Sequence, residues 1–262
     1  MERIRNIVVF VNLFLFCLSS AYAVELRIDN EVRPGNVKST TYLQDGDFFS
    51  MIGQNGEVTY YDSKAKTFAI LDPALRIQTR IDAEETKKRV ALLREEILTS
   101  PKSEQGTFIA FIVKPTFQSE FDENSGDLAL RSPWFDYVLS TTVFPNPETA
   151  KLYSDFCDLS CYLNFRISKA KAMLVRLEVN RILASHNRFP TKISASIYPK
   201  GQGPLAKVEK AESSHKLILR LTEEDHKRIA QAKESMRTFT VVPFSEYELK
   251  VAEKTAPATK TP

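Results

Sequence analysis

Val37-Lys38-Ser39-Thr40-Thr41-Tyr42-Leu43-Gln44, then Asp45-Gly46, then Phe48-Phe49-Ser50-Met51-Ile52, then Asn55-Gly56: the reading of this stretch decides the fold. Runs of β-branched and aromatic residues are punctuated by an Asp-Gly and an Asn-Gly step. Glycine readily takes the positive φ of a tight turn, so each step reads as a hairpin. The pattern continues outward. Glu57 to Asp62 reads as a strand, Ser63 to Lys66 as a loop, and Thr67 to Asp72 as the returning strand. Pro73 has no backbone N–H and bars further pairing. Arg76-Ile77-Gln78-Thr79-Arg80-Ile81 then alternates. Ile77, Thr79 and Ile81 are expected on the buried side, and Arg76, Gln78 and Arg80 in water.

A helix follows the meander. Asp82 and Glu85 have the spacing of an N-terminal capping pair. Thr86, Val90, Leu93 and Ile97 recur as one apolar stripe, and Pro101 to Gly106 ends the helix. Thr107 to Val113 is apolar on both faces and is expected to be a central strand covered on both sides. Phe117 to Phe121, Asp127 to Arg131 and Trp134 to Val143 read as a second meander, turning at Glu123-Asn124-Ser125-Gly126. Asn146-Pro147 is a helix start, with Asn as cap and Pro at the first helical position. Leu152, Phe156, Leu159 and Leu163 form the buried stripe of that helix. A further helix is expected from Lys171 to Ser185, stopping at Asn187 before Pro190. Strands near Thr191–Tyr198, Lys207–Glu212 and His215–Leu221 follow. Thr222 and Asp225 cap a last helix carrying Ile229, Ala232 and Met236 inward, and Thr238 to Val242 reads as a final strand. From Ala252 the tail is expected to be disordered. Blocks of strands separated by helices predict an α+β architecture. A curved antiparallel sheet would carry several helices packed on one face, as in a half-barrel.

The whole chain has 262 residues, with 36 Lys+Arg against 33 Asp+Glu. Hydrophobic content of 43% and charged content of 26% are those of a folded chain. Residues 1–23 read as a secretory signal: Arg3 and Arg5 begin it, Ile7 to Leu18 is apolar, and Ala21-Tyr22-Ala23 is a small-x-small cleavage site. Phe16 before Cys17 is too large for a lipoprotein signal. The expected domain plan is a signal peptide over 1–23, one α+β domain over 24–251 and a tail over 252–262. The protein is expected to be secreted or periplasmic, and not an integral membrane protein. Its near-balanced charge argues against a nucleic-acid footprint. The sequence leaves the oligomeric state open.

Candidate chemistry is sparse. Cys157 and Cys161 are four apart on a helix. Their Cβ atoms would lie about 5–6 Å apart, whereas a disulfide needs about 3.8 Å. No further Cys or His stands at metal-ligand spacing, so no metal and no cofactor is expected, and the pair reads as small apolar packing. His186, His215 and His226 sit in no catalytic motif, and no enzyme activity is expected. Asp45, Asp47, Asp62 and Asp72 read as turn formers. The aromatics, 17 Phe, nine Tyr and one Trp, concentrate on strands. They fit either a lined apolar cavity or a filled core. If a ligand cavity exists, Phe108, Phe111, Phe117 and Tyr137 are the candidate ligand-binding residues.

Two resemblances complete the reading. The hairpin Tyr60-Tyr61-Asp62 … Leu71-Asp72-Pro73, with Leu177-Glu178-Val179-Asn180 and Leu221-Thr222-Glu223-Glu224-Asp225-His226, resembles uncharacterised secreted proteins of planctomycete-type bacteria. More distantly, the meander–helix–meander order is similar to the periplasmic lipoprotein-carrier half-barrel. In that superfamily a curved sheet wraps helices and holds acyl chains. The resemblance carries over no site residue, and none of Arg33, Arg76 and Arg80 is singled out. It implies a secreted or periplasmic non-catalytic binding protein for a lipid or other hydrophobic ligand. The alternative is a structural or protein-interaction module of the cell envelope without a small-molecule ligand.

Overall fold

A computed structural model describes residues 24–53, 56–99, 107–168, 172–202 and 208–255. The expected signal peptide therefore lies outside the described residues. So do the turn residue Asn55, the stretch from Pro101 to Gly106, and 256–262.

The chain builds an α+β fold around one open, mostly antiparallel sheet of twelve strands. The first meander comprises β1 (Leu26–Arg33), β2 (Val37–Gln44), β3 (Asp47–Ile52), β4 (Val58–Asp62), β5 (Thr67–Asp72) and β6 (Ile77–Asp82). Its turns follow local chemistry. Asp45 and Gly46 both take positive φ, 55° and 84°, as a primed two-residue hairpin requires. Asp62 Oδ1 accepts from the Lys64 and Ala65 backbone N–H groups, and Asp72 Oδ1 from those of Ala74 and Leu75. The Asp residues of this meander are turn formers, as their positions suggest. Gly56 is constrained differently from Gly46: an added Cβ would lie 1.9 Å from the Ile52 carbonyl oxygen, and the positive φ in that connection falls on Gly53.

Helix α1 (Ala83–Thr99) starts where Asp82 Oδ1 accepts from Glu85 N at 2.6 Å. Thr86 and Val90 are buried, but Leu93 is exposed, so only the first half of the expected stripe packs. The run from Thr107 is not a strand. It is the short helix α2 (Phe108–Val113), opened by Thr107, whose side chain accepts from Ala110 N. A short apolar run has no periodicity to separate helix from strand, and here the cap decides.

Strands β7 (Gln118–Phe121), β8 (Asp127–Arg131) and β9 (Phe135–Val143) form the second meander. Helices α3 (Pro147–Ser168) and α4 (Ala172–Ser185) follow, then β10 (Arg188–Ile197), β11 (Glu209–Ile218), α5 (Glu223–Thr238), β12 (Thr240–Val241) and α6 (Phe244–Thr255). Asn146 Oδ1 caps α3 through Thr149 N at 2.7 Å, and Asn187 leaves α4 at φ 52°. The two strands expected on either side of Ser213-Ser214 are one strand, β11, held without interruption against β1 from Arg27↔Ile218 to Arg33↔Glu212. That pairing joins the two meanders, and the strand order is β12-β6-β5-β4-β3-β2-β1-β11-β10-β9-β8-β7. Helix α6 covers Ala252 to Thr255, which were expected to begin the tail.

Alternation sends β2 and β3 side chains to both faces. Leu43 and Phe48 face α3, where Phe48 stacks on Phe156 at 4.2 Å between ring centroids. Tyr42 and Phe49 point the other way and are covered by Ile229 and Ala232 of α5. One helix therefore packs on the back of the sheet, and α3 and α4 fill the front. This explains Gln78, expected in water and found buried: its Nε2 donates to the Met236 and Phe239 carbonyls at the end of α5.

Candidate functional site

The front face of the sheet is not uniformly filled. One row of directly paired residues is large: Leu26, Leu43, Phe48, Tyr61, Phe68 and Ile81. All six are buried, and they pack against Phe156, Leu159 and Leu163 of α3. Two residues along each strand the row changes to Ile28, Thr41, Ser50 and Thr59. Two further along it reads His215, Asn30, Ser39 and Ile52. On the other half, Ala211 pairs Ala195, which pairs Tyr137. Thr41, Ser50, Ser39, Ala195 and Ala211 in these rows are small. A cavity of about 550 Å³ is left between the middle of the sheet and the α3–α4 pair.

The helical wall is a stripe. Tyr153, Phe156, Cys157, Ser160, Cys161 and Asn164 of α3 recur at helical spacing, and Met173, Arg176 and Asn180 come from α4. Val32, Val37 and Ile52 line the cavity and are also exposed, so its rim is apolar. Two acids are in the lining. Glu57 Oε2 accepts from the Tyr247 hydroxyl at 2.9 Å, and burial raises its pKa. Glu212 is exposed.

His215 is held from two strands. Its Nδ1 lies 2.7 Å from Asn30 Oδ1 and its Nε2 lies 2.9 Å from Ser213 Oγ. Asn30 spends its amide N–H on Ser39 Oγ, so its oxygen faces the ring and Nδ1 carries the proton. Burial, and then the nearby Arg176 charge, push the His215 pKa down to about 4. Cys157 and Cys161 are both free thiols. Burial raises them to about 11 and about 12, which leaves them protonated and unreactive.

The four sequence-predicted ligand residues share one hydrophobic cluster, in which Phe117 meets Tyr137 edge-on at 6.0 Å. Tyr137 lines the cavity; Phe108, Phe111 and Phe117 do not. Phe111 meets Phe117 edge-on at 5.5 Å and Phe135 at 5.7 Å, and Phe108 stacks on Phe135 at 5.8 Å. They form a closed aromatic cluster around α2. A strand over 107–113 would put Phe108 and Phe111 within the sheet, whereas the helix stacks them on Phe135 of β9. Sequence reasoning missed Arg176 and the small residues opposite it. A signal was present: Arg176 and Asn180 stand four apart within the apolar run of α4, while Glu178 and Arg181 pair with each other at 2.6 Å.

Among the described residues, no group of three His, Cys, Asp or Glu is placed to hold a metal ion, and no helix is long and apolar enough to cross a membrane. Comparison with protein-family models and with curated proteins finds no match for the chain.

Proposed function

We propose that the chain is a secreted or periplasmic binding protein that carries a lipid or other hydrophobic ligand between its sheet and the α3–α4 pair. One observation carries the reading: the middle of the sheet presents Thr41, Ser50, Ser39, Ala195 and Ala211 where a filled core would present large residues, and about 550 Å³ stays open. Ligand sites fall in the range of about 300–1,000 Å³ and are concave and mostly apolar. Ile28, Val32, Phe156, Met173 and Ile193 supply such a lining. Val32, Val37 and Ile52 supply an apolar part of the rim that a chain could cross. The likeness to the lipoprotein-carrier half-barrel, and the expected signal over residues 1–23, agree with this reading.

The test is equilibrium binding of a fluorescent fatty-acid analogue to the processed protein. The expected Kd lies below about 10 μM, roughly −7 kcal/mol. Ala195→Phe and Ser39→Leu fill the cavity from two strands, β10 and β2, on the same face of the sheet. Each should weaken binding at least tenfold while leaving the unfolding midpoint in place or raising it. If the wild-type protein binds nothing at tens of micromolar, the carrier reading is abandoned for an envelope interaction module. In that case the exposed Leu92, Leu93 and Leu98 of α1 become the surface to probe.

A further inference from the structure

We infer that Arg176 anchors an anionic head group, so that the cavity takes a single-chain amphiphile ending in a carboxylate or phosphate. The inference rests on the carrier reading and specifies its ligand. Arg176 projects from α4 into the cavity and is only partly exposed. Among the described residues it has no hydrogen-bond acceptor within reach and no ion pair. Three of the carboxylates near it are engaged elsewhere, and the exposed Glu212 forms no ion pair with it. Asp158 accepts from Asn180 Nδ2 at 2.9 Å, Glu57 accepts from Tyr247, and Glu178 is bound to Arg181. A guanidinium partly withdrawn from water without a direct ion-pair partner gains from a group that pairs with it.

The charge is felt across the cavity. It favours the ionised forms of Tyr137, Tyr153, Cys157, Cys161 and Asp158, and it disfavours protonation of His215. No side chain forms an ion pair with it, and His215, held between Asn30 and Ser213, adds no second cation. The planar fork of an arginine matches a carboxylate or phosphate through two parallel hydrogen bonds. With the head there, the chain of the ligand lies along Ile28, Ile193 and Met173 toward the rim.

The test compares probes of one chain length at neutral pH: a fatty acid, an alkyl phosphate and the corresponding alcohol. Inorganic phosphate and acetate are titrated separately. The wild-type protein should prefer both anionic amphiphiles to the alcohol by at least tenfold. In Arg176→Gln the preference should vanish while alcohol binding holds, and Arg176→Lys should keep part of it. Arg176→Met provides the same comparison should the glutamine variant unfold. A preference that persists in both neutral variants overturns the anchor, as does equal wild-type affinity for acid and alcohol. The carrier reading survives either result. Inorganic phosphate or acetate binding as tightly as the amphiphiles would also overturn the anchor, since the site would then read a free anion. Failure of every amphiphile to bind removes the carrier reading and the anchor with it.

Discussion

Replacing His215 by Gln should flatten the acid side of the stability profile. In the folded protein the ring sits between Asn30 and Ser213, with the Phe189 ring edge-on at 6.4 Å and the Arg176 charge across the cavity. Burial and that charge hold its pKa at about 4, against an ordinary 6.5. The unfolded chain therefore binds the proton first. Stability from this site is fully present above 6.5, falls as pH drops below 6.5, and stops falling only below 4. By linkage the loss is about 2 kcal/mol at pH 5 and about 3 kcal/mol at pH 4. For a domain of this size that is about 4–8 °C in Tm at pH 5. The glutamine amide donates to Asn30 and accepts from Ser213, so the variant keeps the contacts without the titration. The assay is thermal unfolding followed by Trp134 fluorescence from pH 7.5 to 4, in both proteins. Other groups titrate in both and cancel in the difference. A difference that stays constant between pH 7 and 4.5 would refute the placement of His215 as a buried neutral group.

Three more outcomes follow from particular contacts. Phe111→Ala opens the closed aromatic cluster and should cost about 3–5 kcal/mol in urea unfolding, with ligand affinity unchanged; a change in affinity without loss of stability would place Phe111 in the binding site. Cys157 and Cys161, whose thiols are raised to about 11 and about 12, should resist a thiol reagent at pH 8 in the native protein, and both should react after unfolding without reduction; two fast-reacting thiols in the native protein would contradict those raised values. Asp225 completes the capping box of α5 with Thr222 and also meets Arg27 at 3.3 Å. Asp225→Ala should therefore lower stability by about 1–2 kcal/mol, and an unchanged unfolding midpoint would show that the cap contributes nothing.

What the sequence alone determined is what neighbouring residues decide. Asp45-Gly46, Asn146-Pro147, Asn187 and the Thr222/Asp225 pair each set backbone geometry within a few residues, so turns and helix starts could be read directly. Turn steps and runs of β-branched and aromatic residues placed β2 to β5, β8 and β9, period-two alternation placed β6 and β7, and short connections make neighbours within each meander antiparallel. Long-range contacts decided the rest. The pairing of β1 with β11 joins residues about 190 positions apart, and no local pattern announces it. Gln78 reads as a water-facing residue because its strand alternates, and it is buried because α5 returns over the back of the sheet. Phe108 and Phe111 read as sheet residues, and a single Thr107 cap turned them into a helix. The cavity is the clearest case. Serine, threonine and alanine on a strand have no fixed meaning in sequence. They leave space because register sets them in adjoining rows opposite α3 and α4, beside a row of Leu and Phe that packs against α3. Arg176 is an ordinary helical arginine until that packing turns it toward the cavity, without an ion-pair partner.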